Sequence, residues 1–198
     1  EVNTQAYSEM LMIRQRPLDD FDPKNWKQVA ACCWFDGKQL RLKLPELGWL
    51  QISPIEISYD LDPKADLSLL QVYLQSYALG VQAMLRRQLV LHASTVSRNG
   101  KAIVICGCSG VGKSTLAAAL LAKGFTLVSD EITVINAEGL VQPGFNDIKI
   151  WRDTVDELAL PREQLQSVRT GLEKYYYRPN HVSQHPVPIA AIYVLGTD

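Results

Sequence analysis

The sequence predicts an α/β protein with a strand-rich lead in front of it. Three observations carry that expectation. A glycine-rich loop at 107–112 lies between an apolar run at 102–106 and an Ala- and Leu-rich stretch at 114–123. Short apolar runs bounded by Gly, Pro and Asp recur along the chain, the punctuation of strands. Residues 67–87 carry apolar side chains at helical spacing.

Composition narrows the partners. The 198 residues include 20 basic and 21 acidic ones, a net charge of -1 with no footprint for nucleic acid. No polybasic run suggests a membrane surface. No apolar stretch approaches the roughly 20 residues of a membrane span. The start, Glu1-Val2-Asn3-Thr4, lacks the basic and apolar segments of a signal peptide. Cys32 and Cys33 are adjacent, and Cys106 and Cys108 are one residue apart, spacings of neither a zinc site nor a disulfide framework. A reducing cytoplasm is the simplest compartment.

In chain order, residues 29–35 are apolar, Asp36-Gly37 is a turn signal, and Leu40, Leu42 and Leu44 alternate with Arg41 and Lys43. Together they read as a hairpin, with residues 40–44 a candidate exposed edge for an added peptide strand. Residues 49–52 and 55–59 read as further short strands broken by Pro54. Asp66 is placed to cap a helix. Leu67, Leu70, Leu74, Tyr77, Val81, Leu85 and Leu89 then predict one long helix over 67–87, packed on the sheet that follows. The expected boundary separates a lead domain, 1–66, from a nucleotide-binding domain, 67–198.

Strands are expected at 90–96 and 102–106, joined by the turn Arg98-Asn99-Gly100-Lys101. A helix over 114–123 should end at Gly124, a C-terminal cap. Strands at 125–129 and 132–136 follow, the first running in the direction of 102–106. Beyond them a short strand at 148–151, a helix at 154–158 and an edge strand at 174–178 are expected. The run 187–195 reads as a buried strand; only three residues follow it, which leaves a C-terminal truncation open.

The segment Gly107-Cys108-Ser109-Gly110-Val111-Gly112-Lys113-Ser114-Thr115 fits G-x-x-x-x-G-K-[ST]. The glycines let successive N–H groups turn inward as an anion nest. The following helix adds its N-terminal donors and dipole. Lys113 is expected to reach the β- and γ-phosphates of ATP, and the Ser114 hydroxyl to ligate Mg²⁺. Cys108 is read as a small residue tolerated in the loop, with a redox role as the alternative. Asp130 and Glu131 close the next strand and should return to the same sheet edge. One would hold Mg²⁺; the other would orient or deprotonate an attacking hydroxyl.

Leu91-His92-Ala93-Ser94-Thr95-Val96, the loop at 107–115, the helix after it and Leu127-Val128-Ser129-Asp130-Glu131 together resemble the C-terminal domain of HPr kinase/phosphorylase. The likeness is closest to divergent HPr-kinase-related kinases of bacterial biosynthetic clusters, including those beside lasso-peptide precursors. It covers about residues 67–195, and residues 1–66 look like the short leader domain of those relatives. The resemblance implies a phosphoenolpyruvate-carboxykinase-like P-loop kinase core and ATP-dependent phosphorylation of a serine hydroxyl. It implies Asp130 as proton acceptor and His92 as its neighbour. Two departures stand out. Glu131 replaces the second Asp of the family's pair, and Phe145-Asn146-Asp147-Ile148-Lys149-Ile150-Trp151-Arg152 replaces the downstream Glu-Ile-Arg-Gly run, so phosphorylase activity on HPr is not expected.

The expected function is therefore a Mg²⁺- and ATP-dependent kinase with a peptide or small-protein acceptor. A small-molecule hydroxyl kinase and a non-catalytic ATP-binding regulator are the alternatives, and a homo-oligomer is left open. Lys149, Arg152, Lys174 and Arg178 read either as neutralisers of phosphate charge or as solvated surface charges. His181 and His185 are flanked by Pro179 and Pro186, which argues against a helical metal pair.

Overall fold

A computed structural model describes residues 12–18, 22–169 and 171–196. The first eleven residues of the lead, with the Glu1-Val2-Asn3-Thr4 reading, lie outside the described residues. Strands and helices mix in three sheets. The chain divides into two compact units, one up to Arg87 and one from Gln88. That boundary lies past the expected one at 66/67, because the helical stretch belongs to the first unit.

The first unit holds a six-stranded sheet in the order β1-β6-β5-β4-β3-β2. Its strands are β1 (Met12–Gln15), β2 (Lys27–Ala30), β3 (Cys33–Phe35), β4 (Leu40–Leu44), β5 (Gly48–Ile52) and β6 (Glu56–Leu61). The β3–β4 hairpin forms as the Asp36-Gly37 signal predicts. Asp36 Oδ1 accepts from the backbone N–H groups of Lys38 and Gln39, both at 2.8 Å. The expectation of an exposed edge at Leu40–Leu44 is corrected: β4 is paired on both sides, by β3 and β5. Its backbone donors are already used, so no peptide strand can be added there.

Asp66 caps α1 (Leu67–Tyr73), accepting from Ser68 N–H at 2.9 Å. A π turn, Leu74–Ala78, leads into α2 (Leu79–Leu85). Of the predicted stripe, Leu70 and Leu74 are buried while Leu67 is exposed. The π turn then advances the phase by one residue. Ala78, Leu79, Gln82 and Ala83 become buried, while Tyr77 is exposed and Val81 half-buried. The helix packs within its own unit. Gln82 donates to the Ser53 carbonyl at 3.0 Å, and Arg86 donates to the Pro54 carbonyl, both beside β6.

The second unit is built around β7 (Leu89–Arg98) and β8 (Lys101–Gly107), an antiparallel hairpin. From β8 a loop leads to α3 (Lys113–Leu121), then β9 (Thr126–Ser129), β10 (Ile132–Ile135) and β11 (Leu140–Val141). Then come β12 (Ile148–Trp151), α4 (Arg152–Glu157), β13 (Leu165–Ser167), β14 (Lys174–Tyr177) and β15 (Val187–Leu195). Pairing runs β10-β11-β15-β8-β7 and returns to β10, while β9 pairs with the far half of β7. As expected, β9 runs in the direction of β8, but β7 lies between them.

Both faces of β8 are covered. Ile105 packs with Val96, Leu127 and the α3 residues Ala117, Ala118 and Leu121. Ala102 and Val104 pack on the other side with Ala93, Val128, Val141 and Val187. This explains the unbroken apolar run in β8. Each fully buried Leu or Ile, such as Leu127 and Ile105, contributes about 1.5–3 kcal/mol.

Two strand readings are corrected. β14 is the central strand of the small sheet β12-β14-β13, not an edge. β15 pairs in parallel with β8 but is not buried along its length: Ile192, Tyr193 and Val194 are exposed. Beyond Pro188 only β8 pairs with it among the described residues.

β9 and β10 share one edge of β7, and a buried hydroxyl chain ties the three together. Thr133 Oγ1 lies 2.8 Å from Thr95 Oγ1 and 2.9 Å from Ser129 Oγ. Thr133→Val keeps the shape but leaves two buried hydroxyls without that partner. It should cost about 1–3 kcal/mol in a denaturant titration; a variant as stable as the parent would show that the chain contributes nothing.

Candidate active site

Strand alternation supplies the first two side chains. His92 and Ser94 lie two apart on β7 and so project from one face, the one that carries Val96 toward α3. Opposite them on the β7 edge run Asp130 and Glu131, between β9 and β10. The pairs Thr95↔Ser129 and His92↔Ile132 keep a common register across the gap. The two acids thus stand opposite Ser94 and Ala93 in what is nearly one continuous strand.

That strand is kinked at Glu131, whose φ is 63°. The N–H of Ile132 donates to the Asp130 carbonyl at 2.8 Å, the i to i+2 bond of a γ-turn. The Glu131 carbonyl accepts from Ala93 N–H at 3.3 Å and lies 2.9 Å from His92 Nδ1. A carbonyl only accepts, so Nδ1 carries the proton; in neutral His92, Nε2 then keeps its lone pair.

The loop between β8 and α3 approaches the same place. Gly107, Gly110 and Gly112 have φ of 144°, 84° and 96°, values that L side chains rarely adopt. Gly107 is doubly constrained, since a Cβ there would lie 2.8 Å from the Leu195 carbonyl oxygen. Lys113, almost wholly buried, folds back on the loop and donates to the carbonyls of Gly107 and Cys108, both at 2.9 Å. Left-handed glycines on either side of Val111, at the head of a nine-residue helix, suit an anion nest. Thr115 is occupied otherwise: its hydroxyl lies 2.9 Å from that of Thr154 and ties α3 to α4.

Asp130 is held from three directions. Its Oδ1 accepts from Ser94 Oγ at 2.6 Å and Ser114 Oγ at 3.0 Å, and its Oδ2 accepts from the backbone N–H of Lys149 at 2.9 Å. The residue as a whole is half-buried, but protein surrounds its carboxyl. That desolvation pushes its pKa up from the ordinary carboxylate value. The Ser94 and Lys149 hydrogen bonds pull against it, the charge of Glu131 adds to the rise, and Ser114 opposes it.

Glu131 has a different environment. Lys149 Nζ lies 2.8 Å from its Oε2 and Lys174 Nζ 3.6 Å from its Oε1. Both lysines come from the small sheet, whose other face supplies Ile148, Ile150, Tyr175 and Tyr177 to the core. Lys149 covers the ring of Tyr176 at 5.6 Å, and Lys174 that of Trp151 at 5.5 Å. In both cases lysine and ring are cross-strand partners. Burial pushes the Tyr176 hydroxyl far up, so Lys149 meets a neutral ring.

A cleft of about 200 Å³ is lined by His92, Ser94, Ser109, Gly110, Gly112, Lys113, Ser114, Thr115, Glu131, Lys149, Ile150, Trp151 and Lys174. The structure thus gathers most of the candidate residues into one place. It separates the four basic candidates: Lys149 and Lys174 face the cleft. Arg152 is exposed and paired with Glu173 and Asp156, and Arg178 is paired with Asp147. Sequence reasoning did not single out Ser94, Trp151 or Tyr176. Alternation from His92 would have found Ser94; the other two needed the β12–β14 register. Ser114 Oγ and Asp130 Oδ1 are hard oxygen donors of the kind Mg²⁺ takes, beside phosphates and water. Among the described residues no group of three or more His, Cys, Asp or Glu forms an all-protein metal cage, and no helix is long and apolar enough to cross a membrane.

No family model matches the chain, and no curated protein matches it. Among solved structures it is similar to the Hpr(Ser) kinase/phosphatase from Coxiella burnetii. Identity is 17% and the TM-score is 0.35, over 54% of this chain and 64% of that one, less than two thirds of its length. A likeness of that size decides neither fold nor function, which rest on the site itself.

The raised pKa of Asp130 has a signed consequence. A carboxyl whose folded pKa exceeds its unfolded value costs the fold stability as pH rises from the ordinary carboxylate value through the raised one. Asn can still accept from Lys149 N–H and donate to a serine hydroxyl. Asp130→Asn should therefore match the wild-type melting temperature in acid and exceed it at neutral pH, with the gap opening across that interval. A wild type that is the more stable at neutral pH would contradict this account.

Proposed function

We propose that this protein is a kinase that transfers the γ-phosphoryl group of ATP, with Mg²⁺, to a hydroxyl, that of a serine in a peptide or small protein. One observation carries the reading: a G-x-x-x-x-G-K-S loop at a helix N-terminus shares a single cleft with Glu131 and two lysines, and Asp130 accepts hydrogen bonds from Ser94 and Ser114 of its lining. Phosphoryl transfer demands little covalent chemistry of the protein and much positioning and charge neutralisation. The loop N–H groups and Lys113 would cradle the phosphates, Lys113 leaving its two carbonyl partners to do so. Ser114 would hold Mg²⁺, which supplies charge neutralisation on the phosphates when bound. Asp130 would accept the acceptor's proton, its raised pKa fitting a base that works nearer neutrality. His92 would fix the Glu131 turn and offer Nε2 to the cleft. The serine acceptor rests on the resemblance to HPr-kinase-related kinases, since β4 offers no free edge for an added peptide.

Two variants test the division of labour. Lys113→Ala should lose most Mg-ATP affinity in calorimetry, and unchanged affinity and activity would refute the loop assignment. Asp130→Asn should keep Mg-ATP binding and lose transfer by roughly 10²–10⁴-fold. With γ-labelled ATP, label appearing on peptide serines supports the proposed acceptor, and label appearing only on small alcohols replaces it. Nucleotide bound with no label moved onto any acceptor would make the protein a binding regulator instead.

A further inference from the structure

The two lysines and Glu131 form a trio whose chemistry is that of an occupied anion site. Glu131 presents one carboxylate oxygen to each ammonium, at 2.8 Å and 3.6 Å. Each ammonium also lies over an aromatic ring, which fixes its direction without neutralising its charge. Both lysines lie on one face of a sheet whose other face is core, and both line the cleft. Two positive charges and one negative leave the trio one positive charge in excess. The members are unequal: the Lys149 side chain is 7% exposed and Lys174 24%, and Lys174 has the longer contact.

We propose that Lys149 and Lys174 are the subsite for the terminal phosphoryl group of the nucleotide, and that the Glu131 carboxylate is the resident anion which that group displaces. The inference rests on the nucleotide reading above and deepens it. A terminal phosphoryl group carries more charge than a carboxylate and more oxygens to share between two ammoniums, so the exchange favours it. In this scheme a diphosphate engages the loop alone and leaves the lysines on Glu131. The trio is then what distinguishes a triphosphate from a diphosphate, with Lys174 the member that moves and Lys149 the fixed one. Glu131 is a positioning residue in this scheme: it keeps two like charges together in the empty site and opposes premature anion binding.

The experiment measures, by calorimetry on the full chain, the affinities for Mg-ADP and for the magnesium complex of a β,γ-imido triphosphate analogue. The wild type should prefer the triphosphate. In Lys174→Met, which removes the charge and keeps the apolar stem, that preference should fall by about tenfold, the worth of one charge-assisted contact, with Mg-ADP affinity unchanged. Lys149→Met should do the same; its unchanged Mg-ADP affinity also serves as the folding control. Glu131→Gln should act with the opposite sign and tighten the triphosphate, because the competing anion is gone. A purely structural ion pair predicts weaker binding of both nucleotides in all three variants, and that result would overturn the proposal. So would an unaltered triphosphate preference in Lys174→Met with Mg-ADP still bound, which leaves the loop reading standing. If the wild type binds neither nucleotide, the nucleotide reading and this inference fall together.

Discussion

The cleft depends on one break in one strand. A regular strand sends neighbouring side chains to opposite faces. Asp130, opposite Ser94, would face α3, and Glu131, opposite Ala93, would face the apolar cluster of Ala102, Val104 and Val128. The left-handed backbone at Glu131 prevents this and brings both acids to Lys149, one to its backbone N–H and the other to its ammonium. A non-glycine residue held in that region costs about 1–3 kcal/mol and persists only where its surroundings over-determine it. Here the γ-turn bond, the Ala93 N–H, His92 and two lysines all act on the same residue.

The small sheet is the complement of that kink. The β12–β14 register matches Lys149 with Tyr176 and Trp151 with Lys174, while Ile148, Ile150, Tyr175 and Tyr177 anchor the other face. A one-residue slip would turn both lysines toward the core and the isoleucines away from it. The apolar core under α3 therefore sets the direction of the two cations. Packing and charge placement are here one constraint.

The features legible in the sequence were those whose causes are local. The loop pattern spans eight consecutive residues, and the Asp36 turn and Asp66 cap each involve neighbours within three. What failed was non-local. Nothing within residues 40–44 says that β3 and β5 both claim them, and nothing within 187–195 says that its end is left open on one side. The helix stripe failed for a local but silent reason: Leu74–Ala78 reads as ordinary helix, yet one extra residue in that turn moves the buried face from Val81 to Gln82 and Ala83. At the cleft, the acids and the loop were visible because each belongs to a short motif. Lys149 and Lys174 could not be told from Arg152 and Arg178, because only their strand register sets them apart.

A glutamate rather than an aspartate at position 131 fits the same geometry. Asp130 and Glu131 are adjacent, but their partners differ in kind. Asp130 is held by two hydroxyls and a backbone N–H, all neutral, in a setting that raises its pKa. Glu131 is held by two ammoniums from strands that stand apart from its own. Environments this unequal are how adjacent carboxylates come to do different work. From the same kinked backbone, an aspartate is one methylene shorter. It would draw its carboxylate back from the two ammoniums that Glu131 reaches. The extra methylene at 131 therefore belongs to the lysine pair: a site with two cations on the facing sheet needs the longer acid, whereas an acid that only had to hold a metal beside Ser114 would not.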